Sequence, residues 1–162
     1  MNKRNADLQA RQTVRLLLLL ALCLALSACT GGKRPGGLGI NDGQLAPCPD
    51  SPNCVSSRAA DGDQQIAPLA LQAPTELAWE KVKTTIAALP RTQIISQTSD
   101  YLHAEFRSAV FGFVDDLELH LLPAERIIEV RSASRRGTYD FGVNRKRLEE
   151  LREKLRADET IR

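Results

Sequence analysis

Histidine is nearly missing from this chain: the 162 residues hold two, His103 and His120. That scarcity removes the usual base for a nucleophile, and Ser56 and Ser57 have no histidine near them in sequence. G-x-S-x-G, the Walker phosphate loop and H-E-x-x-H are all missing. No catalytic residue and no cofactor is therefore assigned. There is no internal repeat, and the apolar run LLLLLALCLAL at residues 16–26 has 11 residues, too few for a bilayer span of roughly 20.

What is present at the start reads as a secretory leader rather than as fold. Lys3, Arg4, Arg11 and Arg15 precede the apolar run, and small residues follow it. The run ends in Leu26-Ser27-Ala28-Cys29, which resembles the lipobox of bacterial lipoproteins, where the cysteine is acylated, commonly with palmitate, and becomes the new N-terminus. The plainer alternative is an ordinary signal-peptidase site with Cys29 as a spare thiol. Because run, small residues and cysteine fall in the order lipidation requires, residues 1–28 are expected to be a signal peptide and Cys29 the membrane anchor. Two or more acyl chains suffice for stable anchoring. Thr30 in place of Asp resembles the sorting pattern of Gram-negative outer-membrane lipoproteins, which implies the periplasmic face of that membrane.

Charge gives no sign of a polyanionic partner. The leader holds four of the 22 Lys+Arg and one of the 20 Asp+Glu, which leaves 18 against 19 from Cys29 onward. Nucleic acid is not expected as a partner. A Gly-rich stretch, residues 29–45, reads as a tether, and residues 46–158 as a single globular domain.

Cysteine is the other scarce type, with four in all. Cys23 leaves with the leader and Cys29 is committed to lipid, so Cys48 and Cys54 in PCPDSPNC remain as a pair in an oxidising compartment, where a disulfide is the default. A structural zinc site wants four ligands and a redox pair the tighter C-x-x-C spacing, so both stand as weaker alternatives.

The domain reads as α+β: an antiparallel four-stranded meander sheet with two helices packed on one face, in the order helix, four strands, helix. Residues 46–74 read as an ordered loop with one extended candidate, QQIAPL. PTELAWEKVKTTIAAL has Ala78, Val82, Ile86 and Leu89 at helical spacing, and Pro90 stops it. TQIISQT, YLHAEFRS, VDDLELHLL and RIIEVRSAS read as strands, with Leu102, Ala104, Phe106, Leu117, Leu119, Leu121, Ile128 and Val130 on an apolar face. His103, Glu105, Arg107, Asp116, Glu118, His120, Glu129 and Arg131 alternate onto the opposite face, expected to be wet. A hairpin turning at Pro123-Ala124 would set Asp116 opposite Arg131 and Asp115 opposite Ser132, and would align Glu105, Glu118 and Glu129. Asp115 points toward the apolar face and needs a cation, for which Arg135, Arg136 or Arg145 are candidates. The last helix, NRKRLEELREKLRADE, carries the stripe Leu148, Leu151, Leu155 and starts with Arg145, Lys146 and Arg147, where the macrodipole disfavours cations.

That conflict marks either an anion pocket or ion pairs that lock the helix to the sheet. The pocket reading groups Arg131, Ser132, Ser134, Arg135, Asn144 and Arg145, near Gly137, for a small anionic ligand or an envelope protein; Asp115, Asp116 and Asp140 are the acidic partners of the locking reading. A metal-dependent hydrolase using Asp115, Asp116 and Glu118 is the rival from another class, and a purely structural or assembly role the third. No metal ligand is assigned.

APCPDSPNCVSS, DYLHAEFRSAVFGFVDDLEL and VRSASRRGTYDFGVNRKRLEELR together resemble the bacterial domain family numbered 1499 among the domains of unknown function, over about Leu45 to Leu151. The resemblance implies an envelope or secreted setting and no particular activity, ligand or catalytic residue.

Overall fold

Four long alternating strands organise the described residues, and the helices and short strands cover one of their two faces or one edge. The computed structural model describes residues 32–60 and 62–162, with Gln12 and Arg15 as isolated positions before them. Apart from those two positions the leader lies outside the described residues, as does Cys29. In chain order the elements are β1 (Ile40–Asn41), β2 (Gln44–Leu45), β3 (Cys54–Ser56), a 3-10 turn (Gly62–Gln64), β4 (Leu69–Ala70), α1 (Thr75–Ala87), β5 (Thr92–Gln97), β6 (Tyr101–Arg107), β7 (Val114–Leu122), β8 (Ile127–Ser134) and α2 (Val143–Ala157).

The α+β class is as expected, but the four-stranded sheet is corrected to six strands. The meander β5-β6-β7-β8 continues past β8, whose outer edge pairs with β3 at one end and with β4 at the other. A second, two-stranded sheet joins β1 and β2. β3 and β4 lie within residues 46–74, which read as loop because strands of three and two residues carry no visible alternation. Tertiary pairing makes them strands: β8 would otherwise present a row of unpaired N–H and C=O groups.

The expected register is also corrected, by two residues in each hairpin. Glu118, not Asp116, lies opposite Arg131, and Asp115 faces Ser134. Across the preceding hairpin Glu105 faces Asp116 and His103 faces Glu118. For the β7–β8 hairpin the cause is the turn after β7. A two-residue hairpin loop needs positive φ at its first central position, which proline cannot adopt. The chain instead uses Pro123 to Arg126, with the Arg126 N–H donating to the Pro123 carbonyl at 3.2 Å and Arg126 itself at φ 54°. A shift of two leaves each side chain on its face. The apolar face is therefore as read, and the sheet residues named for it all join one buried core.

Both helices close that core. α1 contributes Ala78, Trp79, Val82 and Ile86, with Leu89 beyond its end partly buried, and α2 contributes Leu148, Leu151 and Leu155. Each such Leu, Ile or Val contributes about 1.5–3 kcal/mol relative to exposure.

The opposite face is not wet. His103, Glu105, Asp116, Glu118, His120, Glu129 and Arg131 are all buried. Part of their cover comes from the segment that reads as a tether: Leu45 is buried, β2 packs on β7 and β8, and Arg34 and Gly39 bond to sheet carboxylates.

PCPDSPNC is closed by a disulfide between Cys48 and Cys54, with Cα atoms 5.7 Å apart, and Cys54 belongs to β3. The bond thereby ties the segment leading from the β1–β2 hairpin to the sheet edge. Closing so short a loop is worth about 2–3 kcal/mol. Cys48→Ser is expected to lower unfolding stability by that amount in urea denaturation, and a reducing agent should lower the wild type equally while leaving the variant unchanged.

Candidate functional site

The buried charged face forms a network in which each carboxylate meets a cation. Glu118 is 0% exposed; it accepts hydrogen bonds from Arg131 Nη1 at 3.0 Å, Tyr101 Oη at 2.9 Å and the Gly39 N–H at 2.7 Å. Asp116 is 1% exposed and accepts from both Arg135 Nε at 2.8 Å and Arg135 Nη2 at 2.6 Å, with His103 Nε2 at 2.7 Å. The same Arg135 Nη2 also bonds Glu105, which Arg34 reaches from the N-terminal segment at 2.7 Å. Glu129 accepts from Arg58 at 2.9 Å. Its second oxygen lies 3.7 Å from His120 Nδ1, and neither atom has a hydrogen-bond partner.

The titration of the network follows from these contacts. Burial opposes ionisation of Asp116, but Arg135 and then His103 overcome it, and the carboxyl titrates below its ordinary value. Glu105 is likewise opposed by burial and lowered by Arg34 and Arg135. Burial first, and the Glu118 carboxylate second, push the Tyr101 phenol far above its usual range, so it remains a donor.

A second network lies on the helix side. Asp115 does point there, but its cation is Arg147, at 2.6 Å, rather than Arg135, Arg136 or Arg145. The Arg147 guanidinium stacks 4.5 Å from the Phe106 ring centre and donates to Ser132 Oγ at 3.1 Å and Asn144 Oδ1 at 2.6 Å. Asn144, 0% exposed, joins three elements: its amide donates to the Asn53 carbonyl, to Ser134 Oγ and to Asp140 Oδ2. Asp140 also accepts from the Asn144 and Gly142 N–H groups. It supplies the carboxylate that the basic first turn of α2 lacks, which offsets the macrodipole conflict. Arg145 donates to the Asp63 and Gln65 carbonyls and pins the 3-10 turn.

The sheet thus separates the six residues grouped as an anion pocket. Arg131 and Arg135 are spent on carboxylates of the covered face, Ser132, Ser134 and Asn144 bond one another on the helix side, and Arg145 holds a loop. The hydrolase trio divides in the same way, Asp115 on one face and Asp116 with Glu118 on the other. Among the described residues no three His, Cys, Asp or Glu side chains converge to hold a metal ion.

A family model described as "Protein of unknown function (DUF1499)" matches residues 44–155. The chain belongs to that family. No curated protein and no solved structure matches it. Arg34 and Gly39, which reach the buried carboxylates, precede the segment matched to DUF1499, whereas Arg135, Asp116 and the Asp115–Arg147 pair lie within it.

On the DUF1499 domain a cleft of about 320 Å³ lies between Leu89–Arg91, the end of β6 and the first turns of α2. Leu89, Pro90, Phe106, Val143 and Leu151 supply apolar wall; Arg91, Arg107, Lys146 and Arg147 supply cations, against the two acids Asp115 and Glu150. Asp115 is neutralised by Arg147, so the cleft keeps an excess of positive charge. Sequence reading missed it because Arg91 and Arg107 come from a loop and a strand end brought together only by the β5–β6 pairing, where Arg91 Nε donates to the Arg107 carbonyl at 3.2 Å.

Breaking a buried pair from one side costs about 3–5 kcal/mol. Arg135→Ala is expected to lose that much at neutral pH, since it strands both Asp116 and Glu105. Because both carboxyls are lowered in the fold, their contribution is present above the ordinary carboxylate range near pH 4 and fades as pH falls through their folded-state values. Urea unfolding at pH 7 and pH 3 should therefore show the gap between wild type and variant narrowing on acidification; a gap independent of pH would mean that Arg135 acts by packing alone.

Proposed function

We propose that the protein is a lipid-anchored, non-enzymatic binding module of the bacterial envelope, held through Cys29 at the periplasmic face of the outer membrane. Its ligand is a small anion with an apolar body, and the site is the cleft between Leu89–Arg91 and α2. The observation that carries this reading is the charge imbalance of that cleft. On the covered face of the sheet each buried carboxylate named above has a cation at hydrogen-bond distance, although His120 Nδ1 and one oxygen of Glu129 keep no hydrogen-bond partner. In the cleft Arg91 and Lys146 are exposed beside the Phe106 ring and the Leu89 and Val143 side chains, and Lys146 has only a loose contact to Glu150 at 3.9 Å. Cations over an apolar wall suit a carboxylate or phosphate carried on a hydrocarbon or ring.

The anchoring half rests on Leu26-Ser27-Ala28-Cys29 after a basic and then apolar leader, with Thr30 favouring the outer membrane. A flat, fully neutralised surface would have suited a purely structural role, and the cleft departs from that.

Two measurements test the two halves. Titration of decyl phosphate by calorimetry should show binding that the double variant Arg91→Glu with Lys146→Glu weakens at least about tenfold, or ~1.4 kcal/mol. Both side chains are exposed, so the fold should survive, and an unchanged affinity would remove the cleft as the site. Feeding cells a radiolabelled palmitate should mark the wild type and leave Cys29→Ala unmarked; label on the variant would defeat the anchor.

A further inference from the structure

The chain has seven aromatic residues, and four of them stand on the surface at one end of the sheet. Phe111 and Phe113 lie in the loop from β6 to β7, and Tyr139 and Phe141 in the segment from β8 to α2. In an antiparallel meander the end of β6, the start of β7 and the end of β8 share one end, so the two loops meet. Phe141 is 87% exposed and Val110 82%. The rings are paired within each loop, Phe111 with Phe113 at 5.6 Å between centroids and Tyr139 with Phe141 at 5.1 Å. Between the loops lies an apolar groove of about 490 Å³.

The backbone is arranged to turn these side chains outward. Phe141 sits at φ 56°, a conformation that a bulky residue rarely adopts, and Gly142 follows at φ 73°. Asp140 holds this geometry from below through the Gly142 and Asn144 N–H groups. An exposed apolar cluster of this size marks a surface that is covered in use.

What covers it is indicated by where the described chain begins. Gly32 packs against Arg135 and Arg136; a Cβ added there would meet Arg135 Cβ at 3.2 Å and Arg136 Cγ at 3.3 Å. Arg136 lines the aromatic groove as well. Cys29 is three positions before Gly32, and an extended chain of three Cα–Cα steps spans at most about 11 Å. An acyl chain on Cys29 would thus enter a bilayer within about 15 Å of Arg136. Exposed Lys33 and Arg136 flank the point of entry and favour anionic headgroups. Aromatic rings beside a cationic rim are the side chains that settle at the interface between water and hydrocarbon.

We propose that the loops carrying Val110, Phe111, Phe113, Tyr139 and Phe141, with Val143 at the start of α2, form a membrane-docking surface that seats the domain on the bilayer beside its own lipid anchor. Docking in this way rests on the anchored reading of Cys29, and it orients the domain where a lipid on a free tether would only localise it. The cleft that adjoins the patch through Ser108, Asp115 and Val143 would then open close to the membrane surface.

The test uses the full-length protein with Phe141→Trp, reconstituted in vesicles of phosphatidylethanolamine and phosphatidylglycerol whose acyl chains are brominated. Trp79 is buried in the core and serves as the unquenched reference. Docking predicts that the added tryptophan is quenched by at least about a third relative to unbrominated vesicles, while the parent is unaffected, and that Phe111→Asp in the same background abolishes the quenching without changing the melting temperature. Acylated protein that stays on the vesicles with no quenching overturns docking and leaves the anchor standing. Quenching of protein that carries no acyl label on Cys29 supports docking and defeats the anchor. A dimer in sedimentation that Phe141→Asp dissociates, with no quenching, overturns docking in favour of a second copy of the chain.

Discussion

Arg135 lies across two carboxylates, Asp116 and Glu105, that face each other on neighbouring strands inside the protein. Like charges directly opposite destabilise a sheet, and burying them adds the cost of desolvation. The pairing is tolerable because one guanidinium meets both, with His103 and Arg34 completing their shells. Much else follows from this. Once the face is charged and paired it must be closed from water by something other than a helix layer, and an N-terminal segment ending in the β1–β2 hairpin helps to do so, with Gly39 donating directly to Glu118. The Cys48–Cys54 bond then fastens that cover to the edge strand beside β8.

A sheet buried on both faces has consequences for function. The charged residues that look most like a site are paired with one another inside the protein, Glu105 and Asp116 with Arg135 and Glu118 with Arg131. The proposed cleft and docking surface both lie at one end of the sheet. There the end of β6, the segment before α2 and the start of the described chain come together, and there the cationic cleft and the aromatic loops are found. Membership of the DUF1499 family defines the domain and leaves its ligand open.

The long elements were legible because their signals are local. Alternation in β6 and β7 and the Leu148, Leu151, Leu155 stripe are written within single segments, and Pro90 ends a helix on its own. The register was not, because it depends on the four-residue turn from Pro123 to Arg126. The cover of the polar face was not either, because glycine-rich sequence looks like a tether unless the carboxylates it binds are known. Two and three residues at β4 and β3 become strands only beside β8. The aromatic loops carried a readable signal, with rings alternating with small residues in VFGF and TYDFG, but their meeting required the meander.

By itself the sequence determined the α+β class, the two faces of the sheet and the helices that cover the apolar one, and it pointed to Cys48 and Cys54 as a pair on the expectation that Cys23 leaves with a leader and Cys29 carries lipid. These depend on side-chain period and on counting, which need no third dimension. Only the tertiary structure decided which charges are partners, which of two possible faces an arginine serves, and that the polar face is closed while an aromatic one is open. Those outcomes turn on distances of a few ångströms between residues 13 to 79 positions apart, and electrostatics and desolvation are decided at that range.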